Sequence, residues 1–285
     1  MVTDPPLGPG SAPSRFPVAG SVAALALSAH PGPALVVTTI AALLAAAARL
    51  PLPVVVCVAG GVAAGQLVIG WVNDLVDRTR DRAAARADKP LATGRIGAGP
   101  VRAAALLAGG VCVVLSLAAG RPSGLVHLVL GVGAGLAYDL GLKATVWSWL
   151  PYAVAFGTLP AVASLAGDSP AWPPWWAMAA GAALGVGAHI LNALPDLAAD
   201  LRTGVRGLPH RLGARTGRIA ATGLLVAASL LAALGSGHRP PPWVWGMLPA
   251  VAGLAVLALT GRGRLPFRAA LGIALLDVVL LVGSG

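Results

Sequence analysis

The chain has 285 residues, of which 57% are hydrophobic and 11% charged, and its formal net charge is +10. An ordinary soluble domain carries about 25% charged residues, so the composition excludes a water-soluble globule and points to an all-α, polytopic membrane helical bundle. All ten acidic residues are Asp, which leaves little solvated helical surface, and Cys57 and Cys112 fall in apolar runs that support neither a disulfide framework nor a zinc site.

Residues 1–15 read as an N-terminal tail, and 16–285 as a single transmembrane domain. Phe16 to Ala29 ends in a cleavage-like Ala26-Leu27-Ser28, yet the segment before it holds Asp4 and no basic residue until Arg15. It is therefore expected to form an uncleaved interfacial or half-buried helix leading into the first span. Apolar runs of about 17 to 25 residues then succeed one another, the length that crosses a hydrocarbon core. About nine transmembrane helices are predicted, near 31–49, 53–76, 99–119, 123–140, 146–166, 173–198, 216–236, 242–260 and 266–283.

The second span closes in Asn73-Asp74-Leu-Val-Asp77-Arg-Thr-Arg-Asp81. Asn73, Asp77 and Asp81 are spaced i, i+4, i+8 and share one helix face, with Asp74 about 100° away as a supporting or capping group. Carboxylates at the margin of a span cost about 2 to 3 kcal/mol each unless compensated, so the ladder is expected to present oxygens to a hard divalent cation, Mg²⁺. Trp71, a turn or less above it, is a candidate for stabilising a cation and packing a chain. The loop near 82–98 is rich in Arg, Gly and Thr, with Arg86 and Lys89 available to phosphate oxygens, as a mobile cap requires.

Further along, Tyr138, Tyr152 and Phe156 are candidate chamber residues. Trp147 and Trp149 read equally as chamber or interface residues, and Trp172, Trp175, Trp176, Trp243 and Trp245 as interface anchors. The sixth span closes in a second ladder, Asn192, Asp196 and Asp200, with Pro195 expected to kink the helix near Asp196. His189, three residues earlier, reads as a satisfied bundle histidine ahead of an acceptor contact or proton relay. A second cap is expected near 201–215, with Arg206 and Arg211.

Charge sets an expected orientation. With the N-terminus and both Asp motifs in the cytoplasm, 17 of the 20 basic residues lie on that side and only Arg49, Arg121 and Arg239 outside. That asymmetry absorbs the net charge without a nucleic-acid partner.

Taken together, these motifs resemble the UbiA-type intramembrane prenyltransferases over nearly the whole chain. Asn73 to Asp81 looks like the family's NDxxDxxxD, Asp88-Lys89-Pro90-Leu-Ala-Thr-Gly94-Arg95 resembles its RPL-x-S/T-G loop, and Asp196 to Asp200 its second Asp-rich motif. The resemblance implies an all-helical, nine-span enzyme whose Asp motifs hold Mg²⁺ and the diphosphate of an isoprenyl donor under a cytoplasmic cap. Asn73, Asp77, Asp81, Asp196 and Asp200 then become metal or diphosphate residues, and Asn192 joins them by helical spacing. Many relatives carry Tyr and Lys as YxxxK, whereas Tyr138 and Lys143 are five residues apart here, and a turn at Gly141 is needed for Lys143 to reach the diphosphate.

The chemistry can be built from these parts. An allylic diphosphate ionises once Mg²⁺ and basic side chains neutralise its leaving group, and the resulting carbocation survives only where water is excluded. The expected activity is Mg²⁺-dependent transfer from a polyprenyl diphosphate drawn from the bilayer to a small aromatic or polar-lipid acceptor. Asp77, Asp81, Asp196, Asp200 and Lys143 are the expected catalytic residues; Asn73, Asp74, Trp71, Arg86, Lys89, Tyr138, Lys143 and Asn192 the expected substrate contacts. A UbiA-like terpene cyclase is the alternative. An ion-coupled transporter with a repeated half is a more distant one, since carrier sites lie near the bilayer midplane and these aspartates sit at one end of their spans.

Overall fold

A computed structural model describes the backbone of residues 18–284, in which every regular element is helical. The expected tail and the first two residues of the expected interfacial helix lie outside the described residues. Ten helical units run in order: α1 Val18–Ser28, α2 Pro31–Ala47, α3 Leu52–Ala83, α4 Ala98–Ala118, α5 Arg121–Leu140, α6 Val146–Ser164, α7 Trp175–Arg202, α8 Leu208–Leu234, α9 Pro242–Thr260 and α10 Leu265–Ser284. Eight of them are long and apolar enough to cross a membrane, and a ninth crossing is made if α1 and α2, bent by 62°, count as one broken span. The bend falls at His30, which adopts a left-handed φ of 52°.

Pro31, Pro53, Pro209, Pro242 and Pro266 all fall in the first turn of a helix, where the N–H that proline lacks has no intrahelical acceptor. Inside α5 the ladder widens to a π-helical turn at His127–Val132, and inside α7 Pro195 tightens Leu194–Asp196 to a 3₁₀ turn. Large apolar side chains such as Leu106, Leu107 and Val114 point outward, as lipid-facing residues do.

The helices close into a ring: α2 packs on α3, α3 on α4, and so on through α8, with α10 returning against α2, α7 and α8 while α9 rests on α8 and α10. Lipid tails are as apolar as Leu, so close backbone approach at small residues holds such a bundle together. Two such approaches bring polar side chains toward the bundle centre. At Gly135 of α5 a Cβ would run into Ile69 of α3, and at Gly185 of α7 it would run into the Tyr152 carbonyl of α6. One turn beyond these glycines stand Asp139 and His189.

Length places the first ladder. At 32 residues α3 is about 48 Å long, against a hydrocarbon thickness of about 30 Å, so part of it must leave the membrane. Its charged residues are confined to the C-terminal turns, which fixes that end as the emergent one. The helix continues to Ala83 rather than stopping near 76 because Arg80 and Arg82 in its last turn oppose the helix dipole. The opposite shift occurs in α8, which begins at Leu208, with a non-helical residue at Gly213 (φ 73°), inside the expected second cap loop.

Candidate active site

Asp77 is the hub of the first ladder. Its Oδ1 accepts from Lys143 Nζ at 2.6 Å, and its Oδ2 from Arg80 at 2.6 Å and Asn73 Nδ2 at 3.3 Å. Lys143 reaches it because α5 stops at Leu140 and the chain turns at Gly141 into a 3₁₀ turn, Leu142–Ala144. The five-residue spacing from Tyr138 therefore does not keep Lys143 out. Asn73 Nδ2 also donates to Asp139 Oδ1 at 2.8 Å. The sequence reading missed Asp139, although a carboxylate at the end of an apolar span is the same signal that marked the ladders. Asp81 is buried on the same face, within electrostatic reach of Asp77, Lys89 and Arg86.

Asp74 does something else. At about 100° around the helix it faces the α1–α2 elbow and the first cap loop, where Lys89 Nζ lies 2.6 Å and His30 Nε2 3.2 Å from its Oδ1, and 2.9 Å from each other. Asp74 is 1% exposed and Lys89 11%, so the two expected substrate contacts are engaged in a partly buried ion pair that ties the loop to α3. Removing one partner of such a pair strands the other charge. Lys89→Met is expected to destabilise the fold by about 3 kcal/mol, read as a lowered unfolding midpoint in detergent. The doubly apolar variant Asp74→Leu/Lys89→Met is expected to recover much of that loss.

Trp71 also lies elsewhere than expected. It is about 200° from Asn73 around α3, and its Nε1 donates to the Leu25 carbonyl of α1 at 3.0 Å within an apolar cluster of α1, α3, α4 and the cap loop. Its role is to hold α1, because its height above the ladder and its direction are independent quantities.

The second ladder is not one continuous stripe. A 3₁₀ turn advances about 20° more per residue than an α-helix, so Leu194–Asp196 rotates the rest of α7 by about 60° relative to Asn192. Asn192 is left exposed, without a hydrogen bond from the described residues. Asp196 faces Arg86 Nη1 at 3.5 Å, and Asp200 Oδ2 lies 3.4 Å from His210 Nε2. Arg86 comes from the first cap loop, where its Nε and Nη2 donate to Asp88 at 2.9 and 3.0 Å and hold that carboxyl down to about 2. It thereby joins the first cap to the second ladder. Arg80, bound to Asp77, is in turn within electrostatic range of Asp200. The two ladders thus share one set of basic side chains.

Aromatic rings lie alongside. Tyr138 and Tyr152 meet edge to face at 5.1 Å, Tyr152 stacks on His189 at 4.5 Å, and Phe156 lies parallel to Tyr152 at 6.2 Å. Tyr138 is also within electrostatic range of Asp77 and Asp200, so the rings adjoin the carboxylates. His189 is 2% exposed and its Nε2 sits 3.1 Å from Ser148 Oγ, which accepts the Leu208 N–H at 2.9 Å. It is a satisfied bundle histidine that ties the rings to the start of α8. Of the tryptophans expected as anchors, Trp172, Trp175, Trp243 and Trp245 are exposed, whereas Trp176 is buried.

Among the described residues, no three His, Cys, Asp or Glu are gathered so as to hold a metal ion unaided. Two cavities of about 280 and 260 Å³ lie away from the ladders, one beside Leu25 and Arg95, the other beside Pro160 and Trp176. The four carboxylates of the ladders each lie near a basic group, which suits an anion that brings its own hard cation.

The model of the UbiA prenyltransferase family matches residues 34–276. No curated protein matches the chain. Similar solved structures include a UbiA homolog from Aeropyrum pernix K1, at 18% identity and TM-score 0.73, covering 87% of this chain and 96% of that one. A UbiA homolog from Archaeoglobus fulgidus bound to DMAPP and Mg²⁺ is 17% identical with TM-score 0.69, covering 90% and 96%. A structure of digeranylgeranylglyceryl phosphate synthase is 16% identical with TM-score 0.65, covering 93% and 98%. At these identities the likeness is one of fold.

Proposed function

The chain belongs to the UbiA prenyltransferase family, and on that footing we propose that it transfers an isoprenyl chain from a polyprenyl diphosphate to a small aromatic or polar-lipid acceptor, with Mg²⁺. The observation that carries the reading is the pair of arginines that face both ladders: Arg80 is bound to Asp77 and within electrostatic range of Asp200, and Arg86 is bound to Asp196 and within range of Asp81, with Lys143 on Asp77 beside them. Homologues of the same fold have been captured with DMAPP, GPP and Mg²⁺.

The donor set fits the ion. Mg²⁺ takes one or two carboxylates and completes its shell with water and substrate phosphate, so a preformed three-carboxylate cage is not required. Asn73, Asp77, Asp81, Asp196 and Asp200 would hold it, with Asn192 open beside them. When bound, the ion neutralises the departing diphosphate. Lys143, Arg80 and Arg86 are placed to turn from carboxylate to phosphate oxygens as the anion arrives, an exchange of one charge-assisted hydrogen bond for another. Tyr138, Tyr152 and Phe156 offer ring faces to an allylic cation and keep water from it. The loops at 84–97 and 203–207 would close over the diphosphate, and the asymmetry of basic residues supports a cytoplasmic position for this end of the bundle.

Purified protein in detergent, given Mg²⁺ and a panel of allylic diphosphates, is expected to release pyrophosphate and yield a prenylated product only with an acceptor present. Release without any acceptor, accompanied by a cyclic hydrocarbon or alcohol, would establish the cyclase instead. No release from any donor would remove the reading.

A further inference from the structure

We propose that Asp139 is a positioning residue: it accepts a hydrogen bond from Asn73 and thereby fixes which end of the Asn73 amide faces the diphosphate and its cation. The inference rests on the proposed function for the identity of the bound group, but not for the contact itself.

An amide side chain has two unlike ends, and a half-turn exchanges them. Both hydrogens of Asn73 Nδ2 are engaged by carboxylates, one toward Asp139 Oδ1 at 2.8 Å and the other toward Asp77 Oδ2 at 3.3 Å. The flipped amide would set its carbonyl oxygen against those same two oxygens. Asn73 Oδ1 therefore points away from both, takes no hydrogen bond from the described residues, and is the end left for a cation. The contact to Asp77 alone does not hold this arrangement. It is the longer of the two, and Asp77 Oδ2 is also claimed by Arg80 at 2.6 Å. Asp139 is better suited to the task because it is 2% exposed and held rigidly by α5, and its Oδ2 has no partner that would draw it away. One turn before Asp139, Gly135 leaves room for the Ile69 side chain of α3, so the two helices pack closely beside the contact.

The test compares wild type, Asn73→Ala, Asp139→Leu, Asp139→Asn and the double variant Asn73→Ala/Asp139→Leu as full-length protein in detergent. Leu matches Asp in length and leaves no new polar atom in the bundle; Asp139→Ala serves in its place should Asp139→Leu not fold. The first readout is equilibrium binding of Mn²⁺ with inorganic pyrophosphate, by the electron paramagnetic resonance of free Mn²⁺. Asp139→Leu and Asn73→Ala are each expected to weaken it about tenfold, with the double variant no weaker than either, as residues acting as one unit require. Asp139→Asn, whose amide oxygen still accepts from Asn73, is expected to stay within about threefold of wild type.

The second readout is pyrophosphate release from geranyl diphosphate in the presence of the acceptor that supports wild-type turnover, where Asp139→Leu is expected to lower kcat with KM for Mg²⁺ raised, and Asp139→Asn to retain most of both. Wild-type binding in Asp139→Leu, additive losses in the double variant, or an Asp139→Asn as poor as Asp139→Leu would each overturn the proposal. The last of these would make the Asp139 charge itself the functional element. A wild type that binds Mn²⁺ and pyrophosphate but turns over no allylic donor would defeat the proposed reaction while leaving the Asn73–Asp139 coupling measurable.

Discussion

Asp77→Asn combined with Asp196→Asn is expected to lower Mg²⁺-dependent pyrophosphate release by at least about 100-fold, the scale on which loss of a single charge-stabilising group acts in an enclosed site. Asn keeps the shape of Asp and one accepting oxygen, which can stay with Lys143 while Arg80, the more exposed of the two, turns from its lost Oδ2 partner to water. That matters here because Lys143 is only 8% exposed. With Ala in place of Asp77, lost turnover would be confounded with lost fold, since removing one partner of a buried pair costs about 3 to 5 kcal/mol. The double Asn variant should elute as wild type does and keep its unfolding midpoint within a few degrees, while excess Mg²⁺ does not restore turnover. Ordinary activity in that variant would sink the metal-assisted mechanism.

How far the sequence could be read differs between the fold and the site. The spans were legible because lipid offers no backbone partners, so each crossing must be an apolar helix of its own, whatever packs beside it. Their ends were less so. Hydropathy stops at about residue 76 in α3, but the helix runs on to Ala83, and α8 starts at Leu208 while the apolar run starts near 216. Outside the hydrocarbon, helices are held by dipoles, prolines and contacts rather than by apolar length. The first ladder was legible from spacing, because i, i+4 is a local rule, whereas the second keeps that spacing only from Asp196 to Asp200.

The joining of the ladders was not legible. Asp139 and His30, and the Arg86–Asp196 link, enter through contacts between elements far apart in the chain, and no spacing encodes those, whereas Arg80 meets Asp77 at i, i+3 and His210 reaches Asp200 across a short loop. Asp74 carries two readings, a supporting or capping group about 100° off the stripe and a substrate contact, and Trp71 one, a chamber residue. Their closeness in height to the ladder suggested a shared task, yet their azimuths turn them to α1 and the cap loop, where they fasten structure. Azimuth is fixed by residue number, so the 100° and 200° offsets were available from the sequence; which neighbour occupies those directions was not. Asn192 fails for the complementary reason. Its spacing assumed an uninterrupted α-helix through Pro195, where the chain tightens to 3₁₀.

Lys143→Met is expected to lower kcat for pyrophosphate release by about 100-fold while leaving Mn²⁺ binding in the absence of diphosphate unchanged or tighter. The two effects have opposite sign for one reason. In the resting protein the Lys143 ammonium occupies Asp77 Oδ1 at 2.6 Å, the same oxygen a divalent ion would take. Unit charges about 4 Å apart at an effective dielectric of about 20 interact by about 4 kcal/mol, so the ammonium is a real competitor for the carboxylate. In the proposed reaction that ammonium would turn from Asp77 toward the phosphate oxygens of the leaving group, where negative charge would grow as the allylic bond breaks. Deleting it therefore removes competition in the ground state and stabilisation in the transition state. Lys143→Arg should fall between, since a planar fork cannot track a point charge's short excursion from carboxylate to phosphate. A variant that raised KM for the donor with kcat intact would reduce Lys143 to a simple phosphate grip. One with no effect on either would leave it as a positive charge anchoring the loop at the membrane face.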